Sequence, residues 1–402
     1  MPHELSRGRL AFVTLLIALL AMIGPFTIDT MFPAFDLIGA DVGADAVAMQ
    51  QVTSVYMLAF AAMSLWHGPI SDAVGRRPVI LTGLVIYLAA SVLCAFAPSL
   101  PVLLAGRALQ GLAAGAAQII SRTVIRDLHA GPAAQRMMSQ VNMIFAVAPA
   151  LAPIVGGIIL GFGSWHWIFW LLAAMAGGLG LLVTATLPET HPPADRRPLR
   201  AGPILRSLWT VMSDTVFLRL AATSTFGFAA QFLYIVAAPI IVLGLLDKGE
   251  QDFWMLFVPL VTGMMLGAFA ASRLAERVAP HRLATAGLVL VMVAVLVNVT
   301  LTFLPGTQGL PWVLVMPPFI AFGIQMIFPV VQLLMLDRFP TMRGAAASAQ
   351  AFLQLLFNSV LAGVISPLAA TSMRTVALTS AGFAVLGVIS WAWYRAGVRR
   401  GS

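Results

Sequence analysis

Twelve stretches of about twenty mostly apolar residues run through this chain of 402, each long enough to cross a bilayer as a helix. Their limits are 10–35, 49–68, 79–97, 101–125, 137–160, 167–187, 213–244, 253–272, 283–304, 311–336, 344–366 and 373–395. The seventh is the least well bounded, because its long run hides a break near Pro239. Hydrophobic residues make up 60% of the chain and charged ones 9%, with a mean hydropathy of +0.95. That leaves too little polar surface to coat a soluble body, so the expected fold is an all-α membrane protein of twelve spans.

A net charge of +8 and a pI near 10.9 would suit a nucleic-acid binder, but the placement of the charges argues against one. Apart from Arg107 inside a span and Lys248 and Arg374 on the far side, every basic residue falls on the face of the N-terminus. The opposite loops carry Asp36, Asp41, Asp45, Asp247, Glu250 and Asp252. The positive-inside rule then places both termini and the middle loop in the cytoplasm. Arg7 and Arg9 before an apolar run resemble a signal peptide, but the run is too long and lacks a small-residue cleavage site, so it reads as an uncleaved first helix. Cys94 is the only cysteine, which rules out an internal disulfide or a multi-thiolate metal site.

The apolar pattern breaks at 188–212, where Pro188, Pro192, Pro193, Pro198 and Pro203 accompany four arginines. This divides the chain into a six-helix bundle over 1–187, a cytoplasmic linker and a second six-helix bundle over 213–402. The halves look duplicated. At an offset of 204, Asp72 matches Glu276 and Thr82-Gly83 matches Ala286-Gly287; at 210, Asp127 matches Asp337 and Gln140 matches Gln350. Parallel repeats of this kind hold substrate between the bundles near the bilayer midplane.

The turn between spans 2 and 3 is Gly68-Pro-Ile-Ser-Asp72-Ala-Val-Gly75-Arg76-Arg77. Gly75 permits the positive φ needed to reverse the chain, and Asp72 can cap a helix or pair with an arginine. Its second copy, from Ser272 to Arg282, lacks both glycines. Asp29 is the only acid well inside a span. A charge at that depth costs at least ~2.5–3.5 kcal/mol on insertion scales and commonly faces a cavity where it serves ions or substrate. An interfacial aspartate, with helix 1 ending early at Pro33, is the competing reading. Arg107 is the only base well inside a span, six residues from the outer end of helix 4 as Asp29 is from that of helix 1. An ion pair or water bridge between them is expected, against a snorkelling Arg107 that only anchors the interface. Gly111 and Gly115 continue its helical face and allow close approach of a neighbour.

Helix 5 carries Pro149, Pro153, Gly156 and Gly157, whose missing backbone donors and side chains suit a hinge or seal, or simply a kink. Tyr56, Gln110, Gln118, Asn142, Gln231, Tyr234 and Gln325 are candidates for the substrate cavity, although most such residues satisfy one another between helices. The segment Ser164-Trp165-His166-Trp167-Ile-Phe-Trp170 reads as an aromatic belt at the outer interface. No Gly-x4-Gly-Lys segment exists to bind ATP. His191-Pro-Pro-Ala-Asp195, with an acyltransferase-like spacing, lies in the linker and reads as chance.

The turn resembles the loop between helices 2 and 3 of the major facilitator superfamily. With Ile28 to Pro33, Arg107 to Gly111, Pro153 to Gly157, Ser164 to Trp170 and Leu187-Pro-Glu-Thr190, the chain resembles that superfamily's twelve-helix drug:proton antiporters, above all the bicyclomycin and chloramphenicol resistance (Bcr/CflA) group. The chain is expected to be a monomer in the bacterial inner membrane that uses no cofactor, and the resemblance implies alternating access. The bundles rock between two access states, and proton entry drives amphipathic drugs out. By analogy Asp29 and Arg107 would couple proton to substrate. Gly68, Asp72, Gly75, Arg76, Arg77 and the helix 5 residues would gate, with Asp72 locking the outward-facing state and Arg343 a candidate partner. Ala152 stands where that group usually has glycine, which weakens the antiport inference. The alternative is a facilitator or proton symporter of a small metabolite, whose site would show clustered polar groups.

Overall fold

The computed structural model describes residues 7–128, 131–196, 198–275, 277–307 and 309–400. Glu276, one member of the Asp72 match, lies outside them. Among the described residues there is no strand, and twelve helical spans are long and apolar enough to cross a membrane. Their principal helices are α1 (Arg7–Asp29), α2 (Ala46–Val74), α3 (Arg76–Ala95), α4 (Leu100–Leu128), α5 (Gly131–Phe162), α6 (His166–Thr186), α7 (Thr215–Val236), α8 (Trp254–Leu274), α9 (Pro280–Phe303), α10 (Pro317–Arg338), α11 (Arg343–Val360) and α12 (Met373–Arg400).

The first span departs from expectation. Regular helix stops at Asp29, a 3-10 turn follows at Phe32–Ala34, and a short helix, Phe35–Val42, continues to Gly43, whose φ of 70° ends it in the left-handed region. The span therefore runs Phe12–Val42 and does not end near Pro33. Pro33 occupies the first turn of a helix, where its missing N–H costs nothing. The seventh span breaks as the sequence suggests: α7 ends at Val236, and Pro239 precedes a π-helical segment, Ile240–Leu245.

Contacts group the chain into two compact units, Met1–Asp45 with Val55–Arg200, and Ala46–Ser54 with Ala201–Ser402. In the first, α3 packs on α4 and α6, and α1 on α4 and α5. In the second, α9 packs on α10 and α12, and α7 on α10 and α11. The same pairings recur six helices later, so the duplication that single residue matches only hint at is a duplication of packing. Ala46–Ser54 groups with the second unit because Gln51 Nε2 donates to the Gly363 carbonyl (2.7 Å) and Ser54 Oγ to that of Ser359 (2.9 Å).

The linker is only half irregular. Residues 201–212 form a helix, Ala201–Met212, with Pro203 tolerated in its first turn. Leu208 and Val211 are buried against α11 and α7, while Leu205 and Trp209, one turn apart, face outward, Trp209 being 76% exposed. An apolar edge beside Arg206 is the pattern of a helix lying in a membrane interface.

Candidate functional site

The first unit buries both embedded charges. Asp29 is 3% exposed at the end of α1 and Arg107 is fully buried on α4. After Asp29 come the 3-10 turn and the short helix that carries Asp36 and Asp41. Arg107 Nη1 donates to Gln110 Oε1 (2.8 Å) and to the Thr27 carbonyl (3.3 Å), and its guanidinium stands 4.5 Å over the Tyr56 ring. The expected ion pair between Asp29 and Arg107 does not form: among the described residues no ion pair joins them.

Neutral groups complete the network. Gln110 Nε2 donates to Ser91 Oγ (2.8 Å), Ser91 Oγ donates to the Tyr87 carbonyl (2.8 Å), and the Thr27 and Tyr87 hydroxyls bond each other. Helix α2 reaches Arg107 because Gly111 has no side chain; a Cβ there would collide with the Tyr56 carbonyl. Gly115 does the same beside Phe60 and His67. The carboxylate, phenol and guanidinium are thus set on α1, α2 and α4, buried where electrostatic interactions are strong.

Of the seven candidate cavity residues, Tyr56, Gln110, Gln231 and Tyr234 are fully buried. Gln118 and Gln325 are half-buried and Asn142 is exposed. Tyr56 and Gln110 belong to the Arg107 network. In the second unit Asn298 Nδ2 donates to Tyr234 Oη (2.6 Å), whereas neither amide atom of Gln231 has a hydrogen-bond partner. Phe226, Phe357 and Phe383 form an aromatic cluster there, with centroid separations of 5.4–6.4 Å.

On α5, Pro149 and Pro153 lie inside an unbroken helix. Gly156 and Gly157 are buried, and a Cβ at Gly156 would strike the Thr30 carbonyl, so α5 touches α1 one residue past Asp29.

The glycine turn is held by more partners than its own residues supply. Gly75 has φ 114°, and α3 starts at the next residue. Arg76, 6% exposed, contacts Asp72 Oδ1 (2.5 Å), Asp127 Oδ2 (3.2 Å) and Ser71 Oγ (2.6 Å). The backbone N–H groups of Arg76 and Arg77 donate to Glu189 at 2.9 and 3.3 Å. That carboxylate caps the positive end of α3. Arg77 Nη2 donates to the Thr184 carbonyl (2.6 Å), and Thr190 Oγ1 to Asp127 (3.0 Å). Gly68 leaves open space, with no atom near its missing Cβ.

Arg343 pairs with Asp337 (3.4 Å) within the second unit, and Asp72 with Arg76 within the first. In the second copy of the turn Ala279 caps α9 at φ −56° and Pro280 opens the helix, so no positive φ is required. Asp214 caps α7 through the Phe217 N–H (2.7 Å) and holds Arg338 (2.8 Å). Burial pushes its carboxyl up, but Arg338 and the backbone donors outweigh this and hold it below the usual value.

Sequence reading assigned no role to Glu189, Asp127, Ser71, Thr27, Tyr87 or Ser91. Only the Leu187–Thr190 segment signalled Glu189 in advance. The aromatic segment divides: Trp167 and Trp170 are exposed as a belt requires, but Trp165 is buried and donates to Asp41 Oδ2 (2.6 Å).

The Major Facilitator Superfamily profile matches residues 14–367. The MFS-type transporter YdgK of Bacillus subtilis is 30% identical, covering 96% of this chain and 95% of its own. Multidrug resistance protein D of Escherichia coli is 27% identical over 96% of each chain. The bicyclomycin resistance protein homolog of Haemophilus influenzae is 25% identical over 96% and 97%. A mutant of the nucleoside transporter NupG superposes with a TM-score of 0.73 at 13% identity, covering 95% of this chain and 99% of its own. A bacterial Spinster homolog, inward-facing and occupied, gives 0.72 at 14%, covering 98% of each. With twelve helical spans and a profile match over most of its length, the chain is a multi-pass membrane transporter belonging to the major facilitator superfamily.

Proposed function

We propose that this chain exports amphipathic drugs in exchange for protons by alternating access. The observation that carries the reading is a buried carboxylate, Asp29, and a fully buried guanidinium, Arg107, on two helices that pack together, with Arg107 over the Tyr56 ring. A carboxylate in such a place can exchange a proton for a cation, or change affinity when it is neutralised. The aromatic cluster Phe226, Phe357 and Phe383 supports an apolar substrate, since flat rings offer large contact areas without demanding fixed hydrogen bonds. Relatives named for multidrug and bicyclomycin resistance favour the same class.

The test is transport by the purified chain in proteoliposomes under an imposed pH gradient, alongside susceptibility profiling of a drug-sensitive bacterium expressing it. Drug efflux should require the gradient and acidify the drug-loaded compartment. Gradient-independent flux, or uptake of a polar metabolite along with protons, would favour the facilitator or symporter reading.

We place the protein in a bacterial inner membrane with both termini in the cytoplasm, on the distribution of its basic residues. Reporter fusions after Ala194 and after Glu250 should report cytoplasm and periplasm respectively. The same compartment for both would overturn this topology.

A further inference from the structure

A cavity of about 600 Å³ opens in the second unit, lined by His281, Arg282, Thr285, Ala286, Val289 and Arg395. It lies where α9 begins and α12 ends. The two helices pack together, and Trp391 Nε1 donates to Thr285 Oγ1 (3.1 Å), which ties them beside the cavity. His281, Arg282, Thr285, Ala286 and Val289 are exposed and Arg395 is half-buried. Among the described residues, neither Arg282 nor Arg395 has a carboxylate within ion-pair distance.

The basic rim continues into an apolar wall. Along α9 the residues at helical spacing from Arg282 are Ala286, Val289, Val293 and Leu296, and the last three are each more than half exposed. Val385 and Ile389 are exposed on α12. A free anion would use only the rim, while an amphiphile uses rim and wall together. Basic pockets between helices at the cytoplasmic face suit anionic lipid head groups.

We infer that this cavity binds the head group of an anionic phospholipid. Arg282 and Arg395 contact the phosphodiester, and the acyl chains lie along Val289, Val293 and Leu296. The site is far in sequence from the Asp29 and Arg107 network and does not depend on what the protein transports.

The probe is dioleoyl phosphatidylglycerol titrated into the full chain purified in a neutral detergent, with retained lipid counted by native mass spectrometry. The parent should retain this lipid in preference to dioleoyl phosphatidylcholine. R282Q/R395Q should weaken retention roughly 10- to 30-fold, the loss expected for two basic residues near a charged head group. R126Q/R200Q, which removes the same charge elsewhere, should behave as the parent. Ala286→Trp fills the cavity with both arginines in place and should also expel the lipid, so a failure of the double variant to fold does not decide the matter. Parental retention by Ala286→Trp, or by a folded R282Q/R395Q, would overturn the assignment. So would equal loss in R126Q/R200Q, or displacement of the lipid by millimolar inorganic phosphate, which would mark a site for a free anion.

Discussion

Asp29→Asn should reduce export driven by a pH gradient to background, a loss of about 100-fold, equivalent to ~2.7 kcal/mol. Asparagine keeps the shape of the side chain and removes its charge and its proton. A neutral group also sits more easily at bilayer depth, so expression and thermal stability should match or exceed the parent. The pairing of lost transport with retained stability separates a coupling role from a structural one. Arg107→Gln should differ. It removes the donor to Gln110 Oε1 and the Thr27 carbonyl and the cation over Tyr56. Polar groups left buried without partners cost about 1–3 kcal/mol, so this variant should lose stability as well as transport. Gradient-driven efflux by Asp29→Asn in proteoliposomes at the parental rate would remove the carboxylate from the mechanism.

Gly75→Leu should be the most damaging change at the glycine turn. A side chain at φ 114° carries backbone strain of about 1–3 kcal/mol. Its Cβ would also stand 2.5 Å from Glu189 Oε2 and 2.8 Å from an Arg196 nitrogen. Glu189 and Arg196 must then shift, weakening a cap worth roughly 0.5–2 kcal/mol. The expected result is a fall in the unfolding midpoint and in membrane yield, with Glu189→Ala reproducing the capping part alone. Asp72→Asn should behave otherwise. Asp72 is half exposed, and Arg76 retains Asp127 and Ser71, so the lost ion pair costs at most ~1 kcal/mol. If Asp72 acts as a latch, export should fall while substrate still binds, and cysteines placed at the candidate substrate residues Gln118 and Gln325 should label more readily from the cytoplasm. Unchanged labelling and export would leave Asp72 a local partner of Arg76. A Gly75→Leu protein with the parental midpoint would refute the strained turn.

Lipid imposes its rule locally. A backbone in hydrocarbon must satisfy itself within each segment, so a run of apolar residues suffices to announce a helix. For this reason the spans and the break near Pro239 were legible in the sequence. Gly75 was legible for a similar reason, since the requirement for positive φ belongs to one residue. Asp29 and Arg107 stood out because an embedded charge is rare enough to mark itself.

What surrounds those residues was decided only by tertiary structure. Glu189 caps a helix 113 positions earlier, and Thr27, Tyr87, Ser91 and Gln110 are ordinary polar residues until packing joins them. Trp165 looked like its neighbours in the aromatic belt until Asp41 met it across 124 positions. The extension of the first span past Pro33 depends on whether the chain there finds a packed environment, which its residue types leave open. A hydrogen bond is short-ranged and directional, so it leaves no periodicity in the chain, and its partners are set by which helices come to lie side by side.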